Sequence, residues 1–295
     1  MKNLFDQLEI NIAEKHKEIN STSLKIHPFK PLSFIKINLH LFLNKIGLFS
    51  KLAETGFIRR WFNEFNFYWQ KELNGRPLKF HDFFYLHSLY RSRYQNLKLE
   101  DETNPNQFLA DWQKPGNIYQ IFSCAYQYGI NPFSFLPFKK HLKKKMKILE
   151  YGCGFAPIVT SLFHYQPNKF NLTIADIPNF TFHYAKWKLK PFGIKTIDIN
   201  PALFPPLSKY DIIFIITVLE HLTNPLEVIK HLTNHLNPDG SLIFDYIKSN
   251  AEGLDTKQSL LARQEVINFI KENFKIIQGN LNAENIKTII AIKKA

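Results

Sequence analysis

Residues 148–157 read ILEYGCGFAP: an apolar run closing on the carboxylate of Glu150, then Gly152 and Gly154 two positions apart, then Pro157. The apolar run has the composition of a buried strand. Glycines directly after it let the backbone turn sharply and let a ligand approach with no Cβ in the way. Pro157 suits a first helical turn, so a helix is expected to start there and to aim its N-terminus at the same spot. Strand, glycine turn and helix N-terminus together make a ligand cradle of the α/β class. A dinucleotide site adds a third glycine for close helix packing, where this chain has Ala156 and then Pro157. A nucleoside with a zwitterionic tail and no phosphate needs the turn without that third glycine.

The strand before the turn opens an alternation that continues to the C-terminus. Apolar β-type runs at 147–152 (KILEYG), 171–177 (NLTIADI), 195–199 (KTIDI), 210–218 (YDIIFIITV) and 240–247 (GSLIFDYI) are separated by helix-type stretches. Strands spaced this way predict a parallel sheet with right-handed crossovers. Several runs are apolar at successive positions, as a strand covered on both faces requires. The last two, FKIIQG (274–279) and IKTIIAIKK (286–294), are joined by only NLNAEN. That link is too short for a crossover helix, so this pair is expected to be an antiparallel hairpin.

Residues 1–138 read differently. Apolar residues recur at helical spacing in LFDQLEINIAEKHKEI (4–19), FIRRWFNEFNFYWQKEL (57–73) and FHDFFYLHSLYRSRY (80–94), and WFNEFNFYW alone carries six rings in nine positions. A mainly helical, aromatic-rich domain over 1–138 is expected ahead of a ligand-binding domain over 139–295, with the lysine-dense KKHLKKKMK (139–147) as the link. Residues 1–145 hold 22 Lys+Arg against 12 Asp+Glu, a net +10 out of +13 for the chain. Such a field attracts anionic ligands, although abundant lysine also decorates surfaces that have no partner. Only Cys124 and Cys153 are present, which excludes a disulfide framework. The N-terminal MKNLFDQLEINIAEKHKE places acidic residues where a secretory signal needs its apolar stretch, and no apolar run is long enough to span a bilayer. A cytoplasmic protein is expected.

From Met146 onward the residues resemble the class I S-adenosylmethionine (SAM)-dependent methyltransferases, through five motifs in the family's order. ILEYGCGFAP is similar to the first motif, an acidic residue followed by G-x-G. TIADI (173–177) ends in Asp176, TIDINPALFP (196–205) contains Asp198, YDIIFIITVLEHLTNP matches the fourth-strand motif, and LNPDGSLIF (236–244) matches the turn into the fifth strand. The resemblance implies a Rossmann-like seven-stranded sheet of order 3-2-1-4-5-7-6 with an antiparallel last strand. It also implies SAM as cofactor, with Asp176 on the ribose hydroxyls, Asp198 beside the adenine, and Glu150, Gly152, Cys153, Gly154, Ile177 and Thr217 around the same ligand.

Methyl transfer from a sulfonium is a direct displacement, which needs alignment of donor and acceptor more than a covalent nucleophile. A hydroxyl acceptor also needs a base, and histidine is the fitting type near neutral pH. His221, at the C-terminal edge of the fourth strand, is the first candidate; Asp245 and Tyr246, closing the fifth, are the next. His81, His87, His164 and His183 read as surface or packing residues. Family members with E-x-x-E-H hold a divalent ion on it, but Thr217 replaces the first carboxylate here, so no metal is expected. The Asn/Asp-Pro-Pro-aromatic motif of base N-methylation is absent from this slot, which reads TVLEH. The expected reaction is O-methylation of a small-molecule or glycan hydroxyl, on an acceptor that is anionic or carries a sugar. An RNA or protein acceptor served by the basic front half, and a non-catalytic binding module, are the alternatives; nucleic acid is not favoured. A nicotinamide oxidoreductase fits poorly with Pro157 and the closing hairpin.

Overall fold

The computed structural model describes residues 57–79, 82, 86, 97–129, 133–248 and 253–294. Its elements are α1 (Phe57–Glu72), α2 (Pro105–Trp112), α3 (Gln120–Gly129), β1 (Lys147–Tyr151), α4 (Pro157–Tyr165), β2 (Asn171–Asp176), α5 (Phe180–Leu189), β3 (Lys195–Asp198), β4 (Tyr210–Ile215), α6 (Pro225–Asn234), β5 (Leu236–Tyr246), α7 (Lys257–Asn273), β6 (Phe274–Gln278) and β7 (Ile286–Lys293). The helical stretches expected over 4–19 and 80–94, with His81 and His87, lie outside the described residues, Asp82 and Leu86 excepted.

The chain forms two compact units, Met1–Arg93 with Ile118–Pro132, and Tyr94–Asn117 with Phe133–Ala295. Packing that helical spacing cannot assign accompanies this division: Phe108 and Trp112 bury themselves with Leu254, Leu97, Leu99 and Ile177, while Phe135 and Phe138 join the core of the sheet. Within the first unit, α1 buries Trp61, Phe65, Tyr68 and Trp69, spaced as one helical stripe. The ring of Phe122, on α3, stands 5.2 Å from Phe65 and 5.0 Å from Trp69.

The second unit holds a seven-stranded sheet of order β3-β2-β1-β4-β5-β7-β6. The first five strands pair in parallel, and β7 runs antiparallel to both β5 and β6. This is the Rossmann-like arrangement expected from the motifs, with the C-terminal hairpin. Alternate residues of each strand serve opposite faces. Leu149, Ile213, Ile215, Leu242 and Phe244 pack with Val228, Ile229 and Leu232 of α6 and Val266, Ile267 and Ile270 of α7. Ile148, Ile212, Phe214 and Ile243 pack on the other face against Ile158 and Leu162 of α4. Strand order reverses between β1 and β4, and in open α/β sheets the crevice beyond the carboxyl ends at such a point is where ligands bind. Among the described residues no helix is long and apolar enough to cross a membrane.

Candidate active site

The turn after β1 has the left-handed backbone its glycines permit: φ is +63° at Gly152 and +49° at Gly154. A Cβ added at Gly152 would lie 2.4 Å from Cγ2 of Val218, whereas one at Gly154 would meet only Oγ1 of Thr181 at 3.6 Å. Gly152 is therefore demanded by packing of the β1 and β4 loops, and Gly154 leaves its surroundings open. Ala156, also left-handed at +50°, leads into Pro157 at the first position of α4.

The two carboxylates bonded to the glycine turn and its helix have separate roles. Glu150 is buried, and its Oε1 and Oε2 accept from the backbone N–H of Ile158 (3.2 Å) and Val159 (2.7 Å), two otherwise unpaired donors of the first turn of α4. It shapes the cradle from beneath by fixing the helix. Asp176, at the end of β2, accepts from Gly154 N–H through Oδ2 (2.5 Å) and from Ile177 N–H through Oδ1 (2.7 Å), stitching the glycine turn to the neighbouring strand. A carboxylate has about four acceptor positions, so two stay available for hydroxyl donors. Cys153 is buried with its N–H donated to Ala175, and burial raises its thiol pKa well above the ordinary value, which makes it inert packing. Asp198 pairs with Asp176 in register but is exposed, its carboxylate 2.7 Å from Lys186 Nζ.

At the end of β4, Thr217 is left-handed (φ +53°), a conformation costing about 1–3 kcal/mol in a residue of this kind. Its N–H donates to Asp245 Oδ1 at 2.6 Å, which ties β4 to β5 and holds the strained peptide in place. His221 follows on a short 3-10 turn (Leu219–His221). Its Nδ1 lies 2.8 Å from Asp255 Oδ1 and 3.2 Å from the carbonyl of Leu254. Both neighbours are acceptors, so Nδ1 carries the proton and Nε2 is the basic nitrogen. Burial works to lower the His221 pKa, but the hydrogen bond with Asp255 and the charges of Glu220 and Asp255 outweigh it and hold the imidazole above its ordinary range. Edge-on to this ring, at 5.3 Å, stands the indole of Trp112.

The Tyr246 hydroxyl is already engaged. It is buried, donates to the carbonyl of Ser259 and accepts from the Ser259 hydroxyl, and burial pushes its pKa up to about 12. In the period-2 alternation of β5, Asp245 and Tyr246 are neighbours in sequence and so point to opposite faces. His183 is half-buried on α5, with its pKa lowered to about 4 by burial and the nearby Lys186. The structure thus gathers Asp176, Glu220, His221 and Asp245 and adds Asp255, while the Tyr246 hydroxyl is taken up by Ser259. Asp255 and Trp112 carry no sequence signal, since each reaches His221 only through the fold. Thr256 clamps Asp255 in position: its N–H donates to the Glu220 carbonyl and its hydroxyl to that of Leu222. Trp112 is carried by a segment whose Gln113 donates to the Pro178 carbonyl and whose Glu102 accepts from the first N–H groups of α7. Among the described residues no group of three or more His, Cys, Asp and Glu side chains is arranged to hold a metal ion.

Burial raises the pKa of four carboxylates here: Glu150 to about 8, Asp176 to about 7, Glu220 to about 7 and Asp245 to about 6. Each binds its proton more tightly folded than unfolded, so the stability it confers is present at low pH and is lost as pH rises through the folded value. Below about pH 6.5 the depressed His183 opposes this, because its charged form is favoured in the unfolded chain. In the ligand-free protein, stability is expected to fall between about pH 6.5 and pH 8.5, lowering the thermal midpoint by at least about 4 °C at ~2–4 °C per kcal/mol. Calorimetric melting across that window checks it; a midpoint that rises contradicts the assignment of raised pKa values.

A family model described as "Methyltransferase domain" matches residues 125–277, just over half of the chain. Among curated proteins, the ubiquinone biosynthesis O-methyltransferase of Rickettsia felis is 30% identical over 105 residues, covering 35% of this chain and 42% of that protein. The tRNA U34 carboxymethyltransferase of Campylobacter lari is 26% identical over 149 residues, covering 49% of this chain and 51% of that one. The chain spans about half the length of the curated relatives it matches. Among solved structures, a SAM-dependent methyltransferase from Aquifex aeolicus aligns with a TM-score of 0.46 at 17% identity, over 60% of this chain and 98% of that one. With the extended family match lying on the same glycine turn, sheet order and carboxyl-edge crevice, the chain belongs to the methyltransferase domain family.

Proposed function

We propose that this chain transfers a methyl group from SAM to a hydroxyl acceptor. The observation that carries the reading is the acidic crevice at the carboxyl ends of β1, β2, β4 and β5. Asp176, Glu220 and Asp245 are all buried there, and no lysine or arginine among the described residues pairs with them. Such a site favours a ligand that is positive at its reactive end and disfavours the pyrophosphate of a dinucleotide. The residues fit a nucleoside ligand on two further counts: the space beside Gly154 is open, and Trp112 Nε1 and Glu220 Oε2 are buried polar atoms with no hydrogen-bond partner. When bound, SAM supplies a methyl group on a positively charged sulfur. Asp176 and the Gly152–Gly154 backbone would hold the nucleoside, Asp245 and Thr217 would line the approach to the sulfur, and the exposed Asp198 would border the adenine.

His221 would act as the base. With its Nδ1 proton held by Asp255, its Nε2 is oriented to take the hydroxyl proton of the acceptor as oxygen attacks the methyl carbon. A small-molecule or glycan hydroxyl is the favoured acceptor, a reading supported by the O-methyltransferase named among the relatives. A second reading, an RNA acceptor, is favoured by the tRNA-acting relative and predicts binding that weakens steeply with salt.

Titration calorimetry tests the cofactor assignment directly: SAM binds and NAD does not. Asp176→Ala is expected to weaken SAM binding by about 1.5–3 kcal/mol, roughly 10- to 150-fold, through loss of a charge-assisted hydrogen bond. Unchanged affinity in that variant removes Asp176 from the site. Transfer of a labelled methyl group from SAM into fractionated cell extract then identifies the acceptor.

A further inference from the structure

The two edges of the sheet differ in charge, and at the amino edge lysines outnumber the carboxylates Asp211, Asp239 and Glu272. The carboxyl edge holds the acidic crevice. The edge where the parallel strands begin is approached through lysines: Lys143, Lys144, Lys145 and Lys147 lead into β1, Lys169 precedes β2, Lys190 and Lys195 bracket the turn into β3, and Lys209 precedes β4. Because β7 is antiparallel to β5, its end brings Lys293, and Lys294 just after it, to the same edge. Lys169 and Lys293 are half-buried and the others are exposed. Among the described residues, no carboxylate forms an ion pair with any of the ten. Lys209, Lys293 and Lys294 instead donate to backbone carbonyls, of Asn234, Thr233 and the Lys271–Glu272 pair respectively.

Apolar side chains stand exposed beside these charges. Phe133, Leu136 and Phe192 are 40%, 50% and 52% exposed. The Phe133 ring lies 4.5 Å from Tyr165, the last residue of α4, and Phe192 lies 4.2 Å from Phe163 in its last turn. A crossover helix runs back antiparallel to its strand, so the end of α4 is at the amino edge, among the lysines.

We propose that this amino edge seats the protein on an anionic lipid bilayer. Ammonium groups along one sheet edge complement the negative potential of acidic headgroups, while exposed Phe and Leu side chains enter the headgroup–acyl boundary beside them. Nucleic acid is the weaker fit. Phosphate and base recognition draws on the planar fork of arginine, and residues 133–248, which carry eight of the ten lysines, contain no arginine at all. Seated this way, the sheet keeps its carboxyl-edge crevice on the side away from the lipid. The proposal is independent of which reaction occurs in that crevice.

The test is co-sedimentation of the full chain with vesicles of phosphatidylcholine alone and of phosphatidylcholine with about a third phosphatidylglycerol. Binding is expected only to the anionic vesicles and is expected to weaken as salt rises. The triple variant Lys143→Glu, Lys144→Glu, Lys145→Glu lies in an exposed loop and should lower partitioning more than about tenfold with its thermal midpoint unchanged. If that variant fails to fold, Lys195→Glu with Lys209→Glu serves the same purpose at β3 and β4. Leu136→Ser with Phe192→Ser should weaken binding without removing its salt dependence. Equal partitioning to neutral and anionic vesicles, no partitioning to either, or retention of full binding by the charge-reversed protein overturns the proposal. So does tight binding of a single-stranded RNA by a protein that ignores the anionic vesicles.

Discussion

His221→Ala is expected to lower turnover by about 10²- to 10⁴-fold, the span typical of losing a general base, while SAM affinity stays within about twofold. The split follows from geometry. The imidazole is fixed by Asp255 on one nitrogen and by the Trp112 edge on its face, and it contributes no hydrogen bond to the glycine turn or to Asp176. A purely structural role would instead shift the melting midpoint and SAM affinity together. Asp255→Asn separates the two further. The Asp255 carboxylate helps hold the His221 pKa above its ordinary range, so removing that charge lowers the pKa and moves the acid limb of the rate profile toward lower pH. An unmoved limb with normal turnover would leave His221 as a packing partner of Trp112. The acceptor hydroxyl can be varied in the same assay, since the assigned base takes the proton from oxygen and its loss should weigh less on a more acidic hydroxyl.

Gly152→Ala carries the largest expected cost in stability, about 2–5 kcal/mol. Two independent effects contribute: a left-handed φ of +63° that disfavours a side chain by about 1–2 kcal/mol, and a Cβ placed 2.4 Å from Val218 that forces overpacking worth about 1–3 kcal/mol. Gly154→Ala shares the first effect without the second, because its Cβ meets nothing nearer than 3.6 Å. It should therefore fold with a loss of about 1–2 kcal/mol while binding SAM poorly, its methyl occupying the open cradle. Denaturant unfolding of both variants, and of Gly152→Ala in a Val218→Ala background, makes the comparison. Partial rescue by the second substitution is expected, since the two residues are in contact and their effects should not add. Equal destabilisation at the two glycines would mean that the β4 loop yields easily and that the Val218 contact has little weight.

Much of the fold is legible because strand and helix periods differ. The runs at 147–152, 171–177, 195–199 and 210–218 match β1 to β4 within one to three residues, and the short link at 280–285 already demanded the hairpin. The fifth strand begins at Leu236 instead of 240, because Leu236 pairs with Tyr210 ahead of an irregularity that absorbs Asn237 to Gly240. Motif order placed Gly152, Gly154, Asp176, Thr217 and His221 along one sheet edge, since each follows the carboxyl end of a parallel strand. The roles within that edge were less accessible. Glu150 stands in the motif as a ligand residue, yet its two oxygens cap α4, and only the path of the helix decides which N–H groups they meet.

What the amino-acid sequence determined by itself was local and repetitive: the order of strands and helices, the positions that required glycine, and the carboxylates that close each strand. Tertiary structure decided which of those groups meet. Asp255 lies 34 residues from His221 and Trp112 lies 109 residues before it, and no periodicity links them. They come together because one face of the sheet buries α7 while the segment carrying Trp112 covers Ile177 and Leu254, and because burial raises the pKa of the carboxylates so enclosed. Spacing along a chain reports which face a side chain takes; desolvation and charge at a site depend on neighbours that only the folded chain supplies.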